Sequence, residues 1–169
     1  MSEQREKPMT SLGVGLKFTM ISCVYMAAVL ALHFFWLSHF TIPIPRILSV
    51  VFGIFFMTIG IPIYLISGLT IHKYFNEGKL ATKGIYGYIR HPVYGSWIVF
   101  IVPGIVLLIN SLIGLTTPFF MYVVFKNLIV KEDKYLEDKF GEEFFRYKKR
   151  VGEIFPKFWN IYRTNRTKS

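Results

Sequence analysis

The segment Lys79–Tyr94, K-L-A-T-K-G-I-Y-G-Y-I-R-H-P-V-Y, gathers most of the side chains in this sequence that could do chemistry. Gly84 and Gly87 permit backbone conformations, or close ligand approach, that larger residues resist. Either could equally serve a turn. Pro92 biases His91 away from helical geometry and places it at the entrance to a helix. Unpaired amides at such a helix start favour a bound anion. A histidine there can donate to a carboxylate or phosphate, and it titrates near neutral pH. Tyr86, Tyr88 and Tyr94 offer ring faces and hydroxyls, although tyrosine is also an ordinary membrane-belt residue. Farther along, Glu132-Asp133 follows an apolar run. A carboxylate at that point can accept from an ammonium or a ribose hydroxyl, or balance a cationic sulfonium. An ion pair with Lys131 or Lys134 is the plainer alternative.

Other chemistries find little support. His33 and His39 are expected on the opposite side from His72 and His91, without a familiar zinc spacing, so no metal is expected. Neither a phosphate-binding G-x-x-x-x-G-K-[ST] nor a nucleotide-fold G-x-G-x-x-G occurs in its required setting. Ser96 near His91 is only a loose hint of a hydrolase. Cys23 is the single cysteine, which excludes an intrachain disulfide and a thiolate zinc cluster. It is expected mid-span as a small buried apolar side chain.

The elements that must hold these residues are set by charge-free runs. Of 169 residues, 53% are hydrophobic and 18% charged, fewer charges than the roughly 25% of an ordinary soluble domain. Phe18–Leu37, Ile47–His72 and Pro92–Phe125 contain no Asp, Glu, Lys or Arg, and each reaches or exceeds the ~20 residues that cross a bilayer. The first is too long, and lacks the following small-residue pattern, for a cleaved signal. Asn110-Ser111 divides the last run into a tight hairpin. The expected fold is an all-α integral membrane protein of a single domain spanning 1–169, with transmembrane helices over about 12–36, 45–71, 93–109 and 112–129. Pro62 can kink the second helix without ending it. Gly53, Gly60, Gly68, Gly104 and Gly114 would permit close helix packing.

Charge then orients the bundle. Lys73, Lys79, Lys83 and Arg90 stand against Glu77 in one connection, and the residues from Lys126 onward carry twelve Lys/Arg against seven Asp/Glu. The 38–45 and 110–117 connections carry no Lys or Arg. The positive-inside bias puts both termini and the tyrosine-rich loop in the cytoplasm. The net charge of +10 points to anionic headgroups rather than nucleic acid. Over 130–156, Leu136, Phe140, Phe144, Tyr147 and Val151 recur mostly three or four apart, predicting an amphipathic helix, or two broken near Gly141. It would pack under the bundle or lie in the headgroup layer. Trp159 and Tyr162 suit an interface.

These residues resemble the isoprenylcysteine carboxyl methyltransferase family. The resemblance lies in Gly84-Ile85-Tyr86-Gly87-Tyr88-Ile89-Arg90-His91-Pro92-Val93-Tyr94, followed by Glu132-Asp133, Leu136, Phe140-Gly141-Glu142-Glu143, Tyr147, Val151 and Pro156. It covers roughly 78–156, and membrane phospholipid methyltransferases share the R-H-P and E-E core. The resemblance implies a pocket for S-adenosyl-L-methionine on the cytosolic side, with S-adenosyl-L-homocysteine as the product. Gly78, Lys79, Leu80 and Ala81 would border the adenosine and Tyr86 would contact the cofactor. His91 and Tyr94 would hold its amino-acid end, with Pro92 and Val93 shaping that wall, and Glu132 would reach it from the fourth helix. Arg150 would be the substrate-side residue of the tail.

The resemblance further implies membrane lipids and an amphiphilic or prenylated acceptor as partners, with methylation of an isoprenylcysteine-type carboxylate. A phospholipid amine N-methyltransferase, a membrane reductase of related architecture and a non-enzymatic scaffold are the alternatives. One departure bears on the acceptor. Family members that methylate a prenylcysteine carboxylate often have an arginine four residues before the glutamate, where this chain has Leu128. Lys126 is two residues away and points elsewhere on a helix.

Overall fold

The structure, a computed structural model, describes residues 13–37 and 39–157. Four helical spans are long and apolar enough to cross a membrane: Val14–Phe35, Arg46–Asn76, Pro92–Ile109 and Ile113–Phe140. They contain α1 (Gly13–Phe35), α2 (Arg46–Asn76), α3 (Pro92–Ser96), α4 (Val102–Ile109) and α5 (Thr116–Phe140), and α6 (Glu142–Arg150) follows. This all-helical build is that of a multi-pass integral membrane protein, as the charge-free runs predict. Among the described residues the only β pairings are isolated bridges, Thr41 with Ser111 and Ile89 with Gly152.

The third span is the most enclosed of the four, packed against both α2 and α5. Small residues let α2 approach it. A Cβ on Gly60 would lie 2.6 Å from Cβ of Phe100, and one on Gly104 only 3.1 Å from the Gly53 carbonyl oxygen. In a bilayer, such close contact replaces the hydrophobic drive that lipid cannot provide. Gly68 differs from the packing expected of it: no atom would lie within 4 Å of a Cβ there. Between α3 and α4 the helix widens into a π turn over Trp97–Ile101. Pro103 has no N–H for the Val99 carbonyl, and the wide turn accommodates that missing bond.

α1 rests on α5 through Val14, Phe18, Ser22, Val29 and His33, a buried stripe at helical spacing. Leu16, Met20, Val24 and Phe35 face outward. Cys23 lies off the stripe and is exposed, not buried as expected.

Two boundaries differ from the sequence reading. α2 continues to Asn76 rather than ending near 71, which places His72 and Phe75 on a helix. α5 runs unbroken to Phe140, so 130–140 extends the fourth membrane helix instead of starting a separate tail. Lys, Glu, Leu and Asp follow one another there without a breaker. Charge marks where a helix leaves lipid, whereas its end waits for Gly141, at φ 52°. α6 then turns under the bundle, and Phe144, Tyr147 and Val151 cluster with Leu80 of the loop. Its acidic first turn and basic last turn complement the helix dipole. Leu12, Trp159 and Tyr162 lie outside the described residues.

Candidate functional site

Four stretches of chain meet at the loop end of the bundle. They are the start of α1, the last turns of α2, the loop leading into α3, and the last three turns of α5. Between them lies a cavity of about 460 Å³. Its walls follow helical spacing: Tyr64, Gly68, Ile71, His72 and Phe75 on α2, and Glu132, Tyr135, Leu136, Lys139 and Phe140 on α5. The loop contributes Lys79, Leu80, Ala81, Tyr86, Arg90 and His91, the third span contributes Val93, Tyr94 and Trp97, and α6 closes the floor with Phe144 and Tyr147. Most expected site residues therefore share one space. Gly78, Pro92 and Arg150 do not line it. Gly78 makes the turn after α2 at φ 65°, and Pro92 is the buried first residue of α3. Arg150 is exposed at the end of α6, with its charge felt at Tyr147.

The loop reaches this position through backbone chemistry. Gly84, at φ 62°, begins the short 3₁₀ turn Gly84–Gly87, which buries Tyr86. The Tyr86 hydroxyl donates to the Ser67 carbonyl of α2 at 3.2 Å, and the Tyr147 hydroxyl donates to the Tyr86 carbonyl at 2.6 Å. Both hydroxyls are thereby spent, leaving the Tyr86 ring to the cavity. Burial, with the Glu132 charge nearby, pushes the Tyr86 phenol well above its ordinary value. His91 has the non-helical φ −123°, ψ 60° that the following proline demands.

The polar centre is tighter than the sequence suggested. Tyr94 donates to Glu132 Oε2 at 2.9 Å. His91 Nδ1 lies 3.5 Å from Glu132 Oε1, and its Nε2 lies 3.2 Å from Asp133 Oδ1. Asp133 also accepts from Arg90 Nη1, at 2.9 Å to Oδ2, and pairs with the Lys148 ammonium at 3.1 Å. Burial alone would lower the His91 pKa. The hydrogen bonds and charges of Asp133 and Glu132 outweigh it and raise His91 above its ordinary value. The imidazole thus lies between two carboxylates that favour its protonated form. Both ring nitrogens of His91 therefore face carboxylates of the protein itself.

Asp133 is the residue that sequence reasoning undervalued. Its neighbour Glu132 faces the cavity, while Asp133 turns one position around α5 and binds Arg90, His91 and Lys148 behind the wall. A usable signal was present: adjacent acids on a helix point about 100° apart, so one faces inward when the other faces a ligand. Leu128 packs against the hydrophobic core, and Lys126 is exposed and paired with Glu153 at 2.7 Å. Among the described residues no group of three His, Cys, Asp or Glu could hold a metal ion.

A helical membrane bundle with a largely apolar cavity, charged along the wall behind an R-H-P-x-Y loop, defines the class. The comparisons narrow it: the model of the isoprenylcysteine carboxyl methyltransferase family matches residues 47–138, just over half of the chain. The chain belongs to that family. It is similar to protein-S-isoprenylcysteine O-methyltransferase of Homo sapiens, 35% identical over 77 residues, which are 46% of this chain and 27% of that protein. The enzyme of the same name from Dictyostelium discoideum is 35% identical over 81 residues, 48% of this chain and 34% of that protein. Form B from Arabidopsis thaliana is 32% identical over 78 residues, 46% of this chain and 40% of that protein. The similarity thus spans well under half the length of each relative.

Proposed function

We propose that this protein is an S-adenosylmethionine-dependent methyltransferase acting on an amphiphilic acceptor, with its cofactor in the cavity described above. The observation that carries this reading is the joining of His91 and Tyr94 to Glu132 across the hairpin, on one wall of a space that also borders Leu80, Ala81 and Tyr86. The residues fit such a group. Glu132 presents a carboxylate to an ammonium or a sulfonium, Tyr86 offers a flat face to a purine, and Gly68 leaves the opposite wall open. When bound, S-adenosylmethionine supplies an electrophilic methyl group on a positively charged sulfur.

The protein's part is alignment, charge placement and exclusion of water. Glu132, with one oxygen held by Tyr94, retains its other oxygen near His91. The Leu80, Phe144 and Tyr147 cluster seals the floor against solvent. The loop end faces the cytosol, as the positive-inside bias requires, and the acceptor arrives from the bilayer between α1 and α2. The favoured acceptor is an isoprenylcysteine-type carboxylate, the acceptor class named in the relatives. A carboxylate is already a nucleophile at neutral pH, so no general base is needed.

One observation favours a second reading, methylation of a lipid amine. With Leu128 in the core and Lys126 drawn to Glu153, this part of α5 offers an acceptor carboxylate no cation. Labelled methyl transfer into a prenylcysteine analogue and into an amine-headgroup phospholipid decides between them. A base-labile ester on the prenylcysteine supports the first reading and a base-stable product the second. A folded protein that binds no S-adenosylhomocysteine sinks both.

A further inference from the structure

The wall carrying His91 is braced from behind by the chain that follows α6. Residues 151–154 run back alongside the loop, where the Arg90 N–H donates to the Gly152 carbonyl at 2.8 Å and the His91 N–H to the Glu153 carbonyl at 2.9 Å. A side chain at Gly152 would run into the Phe155 carbonyl, and Ile154 would meet a Cβ on Gly95 at 3.4 Å. This register delivers the Glu153 carboxylate to Arg90, with Oε1 3.6 Å from Nη2, while Oε2 takes Lys126. The other amino group of the same guanidinium, Nη1, holds Asp133.

Resting on the methyl-donor reading of the cavity, we propose that Glu153 is a positioning residue: it occupies Arg90 Nη2, so that Asp133 stays shared with His91 and the imidazole is held against Glu132. Glu153 lies beyond the family-matched residues 47–138, between Val151 and Pro156, and the backbone bonds of the strap set its position. Without its carboxylate, both amino groups of Arg90 turn to Asp133, the bidentate arrangement that arginine favours with a carboxylate. Asp133 is then drawn from Nε2 of His91, and the ring loses its fixed aim at Glu132. The groups around the imidazole all take part. Glu132 and Asp133 face it from α5, Tyr94 from α3 and Arg90 from its own loop. Glu153 joins from the strap, and Lys148 of α6 acts through Asp133. Phe125 closes the apolar side.

The experiment is an NMR titration of His91 in detergent-solubilised full-length protein, wild type against Glu153→Gln, with S-adenosylhomocysteine affinity measured on the same samples. The His91 titration is expected to fall by about half a unit or more in Glu153→Gln, since a negative charge is lost and Asp133 recedes. The affinity is expected to weaken about tenfold, the worth of one charge-assisted hydrogen bond. Glu153→Asp, which keeps the charge on a shorter stem, is expected to lie between the two. An unchanged His91 titration in Glu153→Gln overturns the proposal. If that variant does not fold, Glu153→Asp decides: a smaller fall supports the proposal and no fall overturns it. Wild-type protein that fails to bind S-adenosylhomocysteine defeats the methyl-donor reading alone, because the titration still judges Glu153.

Discussion

The two ends of the Pro92–Ile109 span meet the same demand, polar groups at a bundle surface, in different currencies. At the Asn110 end the groups are neutral or singly charged, and they serve the backbone. Asn110 closes α4 in the left-handed conformation, and the last carbonyls of α4 are taken by Ser49 at Leu107 and by Arg46 at Leu108. Each donor meets an acceptor that the helix end left over. At the His91 end the groups are ionisable and serve one another. Arg90, His91, Asp133 and Glu132 form a chain of charges, most of them buried, and one side of it opens on the cavity. Polar residues at a helix end therefore say little about function. Charge that is matched internally, beside open volume, says much more.

The comparison breaks most sharply at Asp133. Removing one partner of a buried ion pair strands the other charge, and such losses run to about 3–5 kcal/mol. Asp133→Ala leaves the buried Arg90 with only its longer contact to Glu153 and removes one of the two carboxylates that face His91. It is expected to give the largest stability loss of the variants considered, measured by reversible unfolding in detergent. A loss below about 1 kcal/mol would mean that this end is no more demanding than an exposed ion pair.

Glu132→Ala and His91→Ala probe the side that faces the cavity. Each is expected to weaken S-adenosylhomocysteine about tenfold to a hundredfold, the range of hydrogen bonds to charged groups, with a smaller effect on folding. Calorimetry on folded protein measures this, and unchanged affinity in both variants would reject the site map. Dependence on pH sharpens the same point. The folded-state His91 pKa is raised, so the stability its cation contributes is fully present below the unfolded value of about 6.5. That contribution is lost as pH rises through the folded value. Ligand affinity is expected to fall along with it on the alkaline side, and His91→Ala should flatten that limb.

How much of this was legible depends on which physical signal carried it. Charge-free runs revealed the four spans because a bilayer penalises charge directly. They misplaced the ends of α2 and α5, since helices continue past the lipid wherever no breaker intervenes, and Gly141 supplies the break for α5. The motif residues Tyr86, His91, Tyr94 and Glu132 come together as their order around the hairpin implied. The pairing of His91 with Asp133, the strap that carries Glu153 and the open face of Gly68 depend on register between distant segments. Local spacing does not encode that register.

The smallest predicted effect belongs to the Asn110 end. Ser49 is fully buried, and its hydroxyl donates to the Leu107 carbonyl at 2.5 Å and approaches Asn110 Oδ1 at 3.4 Å. Ser49→Ala removes a neutral donor and leaves a carbonyl short of a partner, a loss of about 1 kcal/mol. It also leaves a side chain small enough for α2 and α4 to keep their contact. Because these bonds serve only the helix end, S-adenosylhomocysteine affinity should stay within about twofold of wild type, a few tenths of a kcal/mol. A larger change in affinity would mean that α2 transmits strain from Ser49 to Gly68 and His72 on the cavity wall. The two ends would then be one coupled structure, and their separation into scaffold and site would fail.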